Sequence, residues 1–170
     1  MKPSALKENE FSPYFGRYIN QAPDLTISEG LELGKNEVIA AFKSLPEEKH
    51  EYRYAPGKWT LKEMLVHMID TERIFAYRAL RIARGDKQAL AGYDQDDYVL
   101  PSKANDRSME NILMDYSISK ANTQALFHSF DEEMLTQVGT ASGKNLSCRA
   151  AGFIIIGHEL HHLKVMSERY

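Results

Sequence analysis

Apolar residues recur at a period near 3.6 in four segments of the chain, and no alternating apolar–polar run competes with them. That pattern restricts the chain to helices packed on helices. The first segment should begin near Ser28, where Thr26 and Glu29 have capping-box spacing. Ile27, Leu31, Val38, Phe42 and Leu45 mark its apolar face, and Pro46 ends it. Pro56-Gly57 signals a turn, and Thr60 with Glu63 repeats the capping spacing. A helix can run from there to Arg84, stopped by Gly85-Asp86, and would be about 36 Å long. A third fits Ser108 to Phe130, with Asp106 or Ser108 as its cap and Ile112, Tyr116, Thr123, Phe127 and Phe130 on one face. The fourth starts near Ser147 and continues to the C-terminus. Ala150 to Ile156 is apolar on all sides, which predicts that this helix is the most buried.

The connections between these segments are roughly 14, 20 and 16 residues, longer than the 2–8 of a tightly turned bundle. Connections of that length cross over or build a site. The expected fold is therefore all-α, a four-helix bundle with long crossover connections. It forms one domain over residues 26–170, with an irregular N-terminal arm, residues 1–25, packed on the body. A chain of 170 residues is large enough to fold without a stapling metal, so a metal bound here would be doing chemistry. The net charge of −3 disfavours a nucleic-acid coat or a basic membrane-binding surface. The longest apolar run, Ala150 to Gly157, is too short to span a bilayer, and the first residues lack the apolar core of a secretory signal. Cys148 stands alone, which excludes an internal disulfide and fits a reducing compartment, so a cytoplasmic location is expected.

Three of the six histidines fall within five residues. His158-Glu159-Leu160-His161-His162 matches His-Glu-x-x-His, which puts His158 and His162 on one helix face about 6 Å apart, close enough to grip one divalent ion. Metalloproteases with this motif take a third ligand from downstream. Glu168 is the only downstream candidate, and it points about 120° away around the helix. The third ligand must come from upstream, which disfavours a protease. His67 is best placed, on the stripe of the second helix that carries Glu63, Thr71 and Ile74, because histidine is rarely chosen for a bundle interior. His50 lies in a charged linker, and His128 could be core or surface. A site of His67, His158 and His162 would leave positions open for water or substrate. Without an ion, these would be ordinary helix histidines near a C-terminus whose dipole favours cations.

Other residues invite weaker readings. Glu159 could act as a general base, but a rotation of about 100° from His158 would equally turn it to solvent or toward a ligand histidine. Asp70, one turn after His67, could accept from a ligand histidine or equally face solvent. Arg73, Arg78, Arg81 and Arg84 load the end of the second helix, as dipole compensation and salt bridging would. An anchor for a carboxylate or phosphate on a substrate thiol is the alternative. Asp94, Asp96 and Asp97 lack the glycine and distal glutamate of an EF-hand and read as a solvated loop. Cys148 lies about 15 Å of helix from His158 and cannot serve the proposed metal. Trp59 and Tyr54 read as packing residues.

Residues 54–86, YAPGKWTLKEMLVHMIDTERIFAYRALRIARGD, and 157–170, GHELHHLKVMSERY, resemble the DinB/YfiT-like superfamily of metalloenzymes. The marks are Gly-Lys-Trp-Thr at 57–60, a histidine eight residues after the tryptophan, and the terminal His-x-x-x-His. The stretch LAGYDQDDY, 90–98, is similar to the loop that follows the second helix in many members. The resemblance implies a crossover four-helix bundle, often a homodimer, with a divalent ion (nickel, zinc, iron or manganese) on His67, His158 and His162. It also implies one of several activities. Some relatives are S-transferases that join a low-molecular-weight thiol such as bacillithiol to an electrophilic small molecule, and others are thiol-dependent isomerases. The leading expectation is therefore a metal-dependent thiol S-transferase. A metal-dependent hydrolase, or a non-catalytic dimeric bundle binding a metal or ligand, is the alternative.

Overall fold

Each of the four long helices starts on a side chain that satisfies its free N–H groups. The Glu29 N–H donates to Thr26 Oγ1 at 3.3 Å while the Thr26 N–H donates to Glu29 Oε2 at 2.8 Å. Thr60 and Glu63 repeat the exchange at 3.1 and 2.7 Å. Ser108 and Ser147 accept from the N–H groups of Asn111 and Ala150, each at 3.1 Å. Caps of this kind contribute about 1 kcal/mol each. In the computed structural model, which describes residues 1–170, the elements in chain order are α1 (Pro13–Ile19), α2 (Ile27–Lys43), α3 (Leu61–Ala83), α4 (Asp96–Val99), α5 (Met109–His128), α6 (Glu132–Thr136), β1 (Val138–Ala141), β2 (Lys144–Ser147) and α7 (Cys148–Arg169).

The bundle is a ring in which α7 and α5 each pack against both α2 and α3. Gly30 abuts Ile156 and Gly34 abuts Glu159, so α2 and α7 run parallel. Lys120 meets Glu159 and Phe127 meets Gly152, so α5 runs against α7. His67 meets His162 while Phe75 and Ile154 share a cavity wall, so α3 also runs against α7. The neighbours α3 and α5 are therefore parallel, and the chain between them must return to the starting end. That requirement explains the long connection after Arg84. No helix is long and apolar enough to cross a membrane.

Two features depart from the sequence reading. The arm is not irregular throughout: Ser12 Oγ accepts from the Tyr14 N–H at 3.3 Å, Pro13 takes the first helical position, and α1 follows. The segment before α7 holds an antiparallel hairpin, with Ala141 opposite Lys144 and Val138 opposite Ser147. Its two-residue turn, Ser142-Gly143, has φ of 51° and 71°, the mirror-image geometry that suits hairpin twist. Strands of four residues give too short an alternation to be read from sequence. Leu90 joins them, its N–H donating to the Thr140 carbonyl and its own carbonyl accepting from the Ser142 N–H, both at 2.9 Å.

The bundle core is split. One apolar cluster gathers Leu31, Phe75, Phe127 and Phe153 to Ile156, and the other gathers Val38, Phe42, Leu65, Ile69, Ile112 and Tyr116. Between them lies a charged layer contributed by three helices. Lys120 Nζ sits 2.8 Å from Glu72 Oε2 and 2.8 Å from Glu159 Oε1, and all three residues are buried. Tyr116 Oη donates to Glu159 Oε1 at 2.7 Å. The fourth helix contributes Gly34 at this level, where a Cβ would stand 2.5 Å from Glu159 Oε2. Burial alone would lower the pKa of Lys120, but the two carboxylates outweigh it and hold the ammonium above its usual value. Removing the ammonium alone strands two buried carboxylates. Lys120→Met should therefore lower unfolding free energy by about 3–5 kcal/mol in urea melts, while Glu72→Leu/Lys120→Met/Glu159→Leu should recover most of that loss.

Candidate metal centre

The capping box at Thr60 fixes where α3 begins, and so places His67 in its second turn. Arg53 reinforces that start, its Nη1 and Nη2 donating to the Glu63 carboxylate at 2.8 and 2.9 Å. On α7, His158 and His162 are one turn apart. The three imidazoles converge: His158 Nε2 lies 3.0 Å from His67 Nε2 and 3.1 Å from His162 Nε2, and the three nitrogens fall within 4.8 Å of one another. All three residues are buried.

Neutral imidazoles cannot satisfy one another in this arrangement. Each ring has one donor and one acceptor nitrogen, and His158 Nε2 faces two others at hydrogen-bond distance. Three lone pairs directed at a common cation remove the conflict, with the ring protons carried on Nδ1. Ligand atoms about 2.1 Å from one ion and 90–110° apart stand about 3.0–3.4 Å from each other, the separation of His158 Nε2 from each of its two neighbours. Burial lowers the pKa of His67 to about 4. Burial and the neighbouring histidines push His158 and His162 well below their ordinary value. Near neutral pH the lone pairs are therefore not lost to protons, and the donor set suits a divalent ion.

Aromatic rings hold the imidazoles in place. The Trp59 ring is 4.6 Å from that of His67 and 6.4 Å from that of His162, and Tyr18 stands edge-on to His158 at 5.2 Å. Trp59 and Tyr18 thus contact the histidines directly, a role that residue spacing does not reveal for either. Tyr18 arrives on the arm, which lies so close to α7 that a Cβ at Gly157 would be 1.9 Å from the Tyr18 carbonyl oxygen. A glycine immediately before the first histidine of the motif is the one trace of this contact in the sequence.

The other sequence candidates contribute no atom to the cluster of three nitrogens, although the His161 ring stands edge-on to that of His162 at 5.2 Å. Glu159 turns away from the histidines into the charged layer, bound by Lys120 and Tyr116, and lines neither cavity beside the histidines. Asp70 pairs with Arg73 at 3.7 Å and bonds to no histidine. His161 is half-buried beside Tyr18, its Nδ1 3.4 Å from Gln21 Nε2, and His128 is exposed at the end of α5. Cys148 is buried, and burial pushes its thiol up to about 12. Arg73 pairs with Asp115 and Arg81 with Asp86. Arg84 lies over the Phe130 ring, and Arg78 has no acidic partner among the ion pairs.

A cavity of about 520 Å³ opens against His158, between α3, α7, the arm, the loop at 93–96 and the hairpin turn. A second, of about 400 Å³, reaches His162 past Trp59. Gln95 and Asp96 line both. One solvent-connected space therefore borders His158 and another borders His162, with the segment at Gln95-Asp96 common to both. Tyr93, whose Oη is 3.0 Å from Thr71 Oγ1, and Ser142 and Lys144 of the hairpin complete the larger wall.

A family model for the DinB superfamily matches residues 31–166. Among solved structures, the chain is similar to YfiT from Bacillus subtilis, described as a probable metal-dependent hydrolase with an unusual four-helix bundle topology. That match has a TM-score of 0.75 and 14% identity, over 96% of this chain and 90% of the other. It is also similar to a mycothiol-dependent maleylpyruvate isomerase, with a TM-score of 0.66 and 13% identity, over 83% of this chain and 60% of that enzyme. At these identities the likeness concerns the fold. No curated protein matches the chain significantly.

Two outcomes follow from this geometry. Gly157→Ala should displace the arm, so that trypsin cuts after the exposed Arg17 much faster than in the wild type. Metal-free protein should lose stability as pH falls, because the unfolded chain takes up protons below about 6.5 that folded His67 refuses until about pH 4. In urea melts between pH 7.5 and 4.5, His67→Leu should lose less stability than the wild type, by about 2–3 kcal/mol.

Proposed function

The chain belongs to the DinB superfamily, and from that premise we propose that it is a divalent-metal-dependent enzyme that transfers a low-molecular-weight thiol to an electrophilic small molecule. His67, His158 and His162 would hold the ion, which on binding would supply Lewis acidity and lower the pKa of a thiol or water brought to it. The observation that carries the choice of thiol is the placement of Glu159. In proteases with this motif the middle glutamate serves as base. In this chain its carboxylate is bound to Lys120 and Tyr116 inside the core, so the glutamate of the motif is not free to activate water. A thiol, with a pKa of about 8.5 when free, needs far less help than water to lose its proton.

The residues divide the remaining work. The buried imidazoles stay neutral and oriented by Trp59 and Tyr18. The larger cavity offers one reactant an apolar surface of Phe15, Phe75 and Ile154, and the second cavity gives the other reactant its own approach. In the transfer, the thiol sulfur forms a bond to the electrophilic carbon, the leaving group departs with its electron pair, and the thiol proton passes to solvent. Hydrolysis is the second reading, favoured by three neutral ligands that leave the full charge of the ion to act on water.

Metal content by mass spectrometry tests the site. Wild type should carry about one ion per chain and His67→Ala none, with helical content and melting retained because the core does not need the ion. Thiol-dependent consumption of 1-chloro-2,4-dinitrobenzene should vanish in the same variant. Ester cleavage without thiol, lost in parallel, would favour the hydrolase instead. Wild type that stays metal-free after dialysis against zinc, nickel and manganese would overturn both.

A further inference from the structure

Arg78 is 2% exposed, yet it forms no ion pair. Its Nη2 donates to the Ala91 carbonyl at 2.9 Å and to Ser142 Oγ at 3.1 Å, and the guanidinium lies 4.9 Å from the Phe75 ring centre and 5.9 Å from that of Tyr93. Nε and Nη1 meet no protein acceptor. Guanidinium has five donors in a planar fork and stays charged in proteins. A buried charge without a counter-ion is costly, and removal from water is normally offset by pairing. Arg73 and Arg81, on the same helix, have carboxylate partners.

Arg78 lines the cavity that His158 also borders. Along α3, His67 and Arg78 are separated by about 16 Å of rise and about 20° of rotation, so they share one face, with Thr71 and Phe75 between them. Helical side chains lean toward the N-terminus, which tilts Arg78 toward the histidines. The cavity is thus a trough bordered by the His158 imidazole and by an unpaired guanidinium, with Phe15, Phe75 and Tyr93 among its walls. Lys144 adds a second cation at its exposed edge, whereas Asp94 and Asp96 place negative charge there. The acidic edge disfavours a dianion such as phosphate, and one buried cation matches one negative charge.

We propose that this cavity binds a small molecule bearing a carboxylate, which Arg78 engages through its free N–H groups while the body of the molecule lies along Phe75 toward His158. The anchoring is independent of any ion. Only the assignment of the far end as the reacting end rests on the metal-dependent function proposed above.

The probes are 4-phenylbutyrate and its uncharged counterpart 4-phenylbutyramide, titrated by calorimetry at pH 7.5 into wild type, His67→Ala, Arg78→Gln and Arg78→Lys. The acid should bind at least tenfold more tightly than the amide in wild type and in His67→Ala. Arg78→Gln should reduce that preference to within twofold. Arg78→Lys, which keeps the charge and loses the fork, should weaken it at least threefold, and this variant decides if Arg78→Gln does not fold. Equal binding of acid and amide by wild type would overturn the proposal, as would an undiminished preference in either Arg78 variant. A preference lost in His67→Ala would also overturn it, because the carboxylate would then be on the ion. A wild type without metal that still prefers the acid through Arg78 would refute the metal reading and leave the carboxylate anchor standing.

Discussion

The ammonium of Lys120, buried between Glu72 and Glu159, sets the relative positions of three helices, and the candidate site depends on that register. An apolar core tolerates a slide of one helix along another, because one leucine replaces the next at little cost. A buried charge triad does not, since a shift of one turn would strand charges in a medium that cannot solvate them. Glu72 follows His67 by five residues, and Glu159 follows His158 by one. The register imposed by the charges is therefore the register in which the imidazoles meet. Gly34 completes the layer from α2, leaving the space that the Glu159 carboxylate occupies.

The bundle supplies the histidines but not the room around them. That space comes from the less regular parts of the chain: the arm with Tyr18, the loop with Tyr93 and Gln95, and the hairpin turn with Ser142 and Lys144. Rigid elements hold the groups whose geometry must be accurate, and connections supply the walls that decide what may enter. The arm is tied down at both ends of α7's first half. Arg149 Nε donates to Glu10 Oε2 at 2.7 Å near the helix start, and Gly157 admits the Tyr18 backbone eight residues later.

Three kinds of buried polar group are present, and they differ in what offsets their burial. The triad offsets burial by direct contact, one cation held between two carboxylates, and burial together with the Glu72 charge raises the pKa of Glu159. The histidines avoid the cost by staying neutral, which keeps their lone pairs available. Arg78 has neither device, because guanidinium cannot give up its proton and no carboxylate reaches it. That contrast sets Arg78 apart from the other three arginines at the end of α3, which fit the reading of that group as salt bridging and packing.

The sequence alone determined the four long helices, because apolar periodicity and capping residues are local and Thr26, Thr60, Ser108 and Ser147 act within three residues of themselves. It also determined the pairing of His158 with His162, since i and i+4 are neighbours on any helix. The hairpin escaped because strands of four residues carry almost no periodicity, and α1 was masked by the arm's prolines. Only the tertiary structure decided that Glu159 belongs to the core, that Trp59 and Tyr18 pack on the imidazoles, and that Arg78 stands unpaired in a cavity. Each of these depends on which residues distant in sequence become neighbours, and a helical face leaves that choice open until packing makes it.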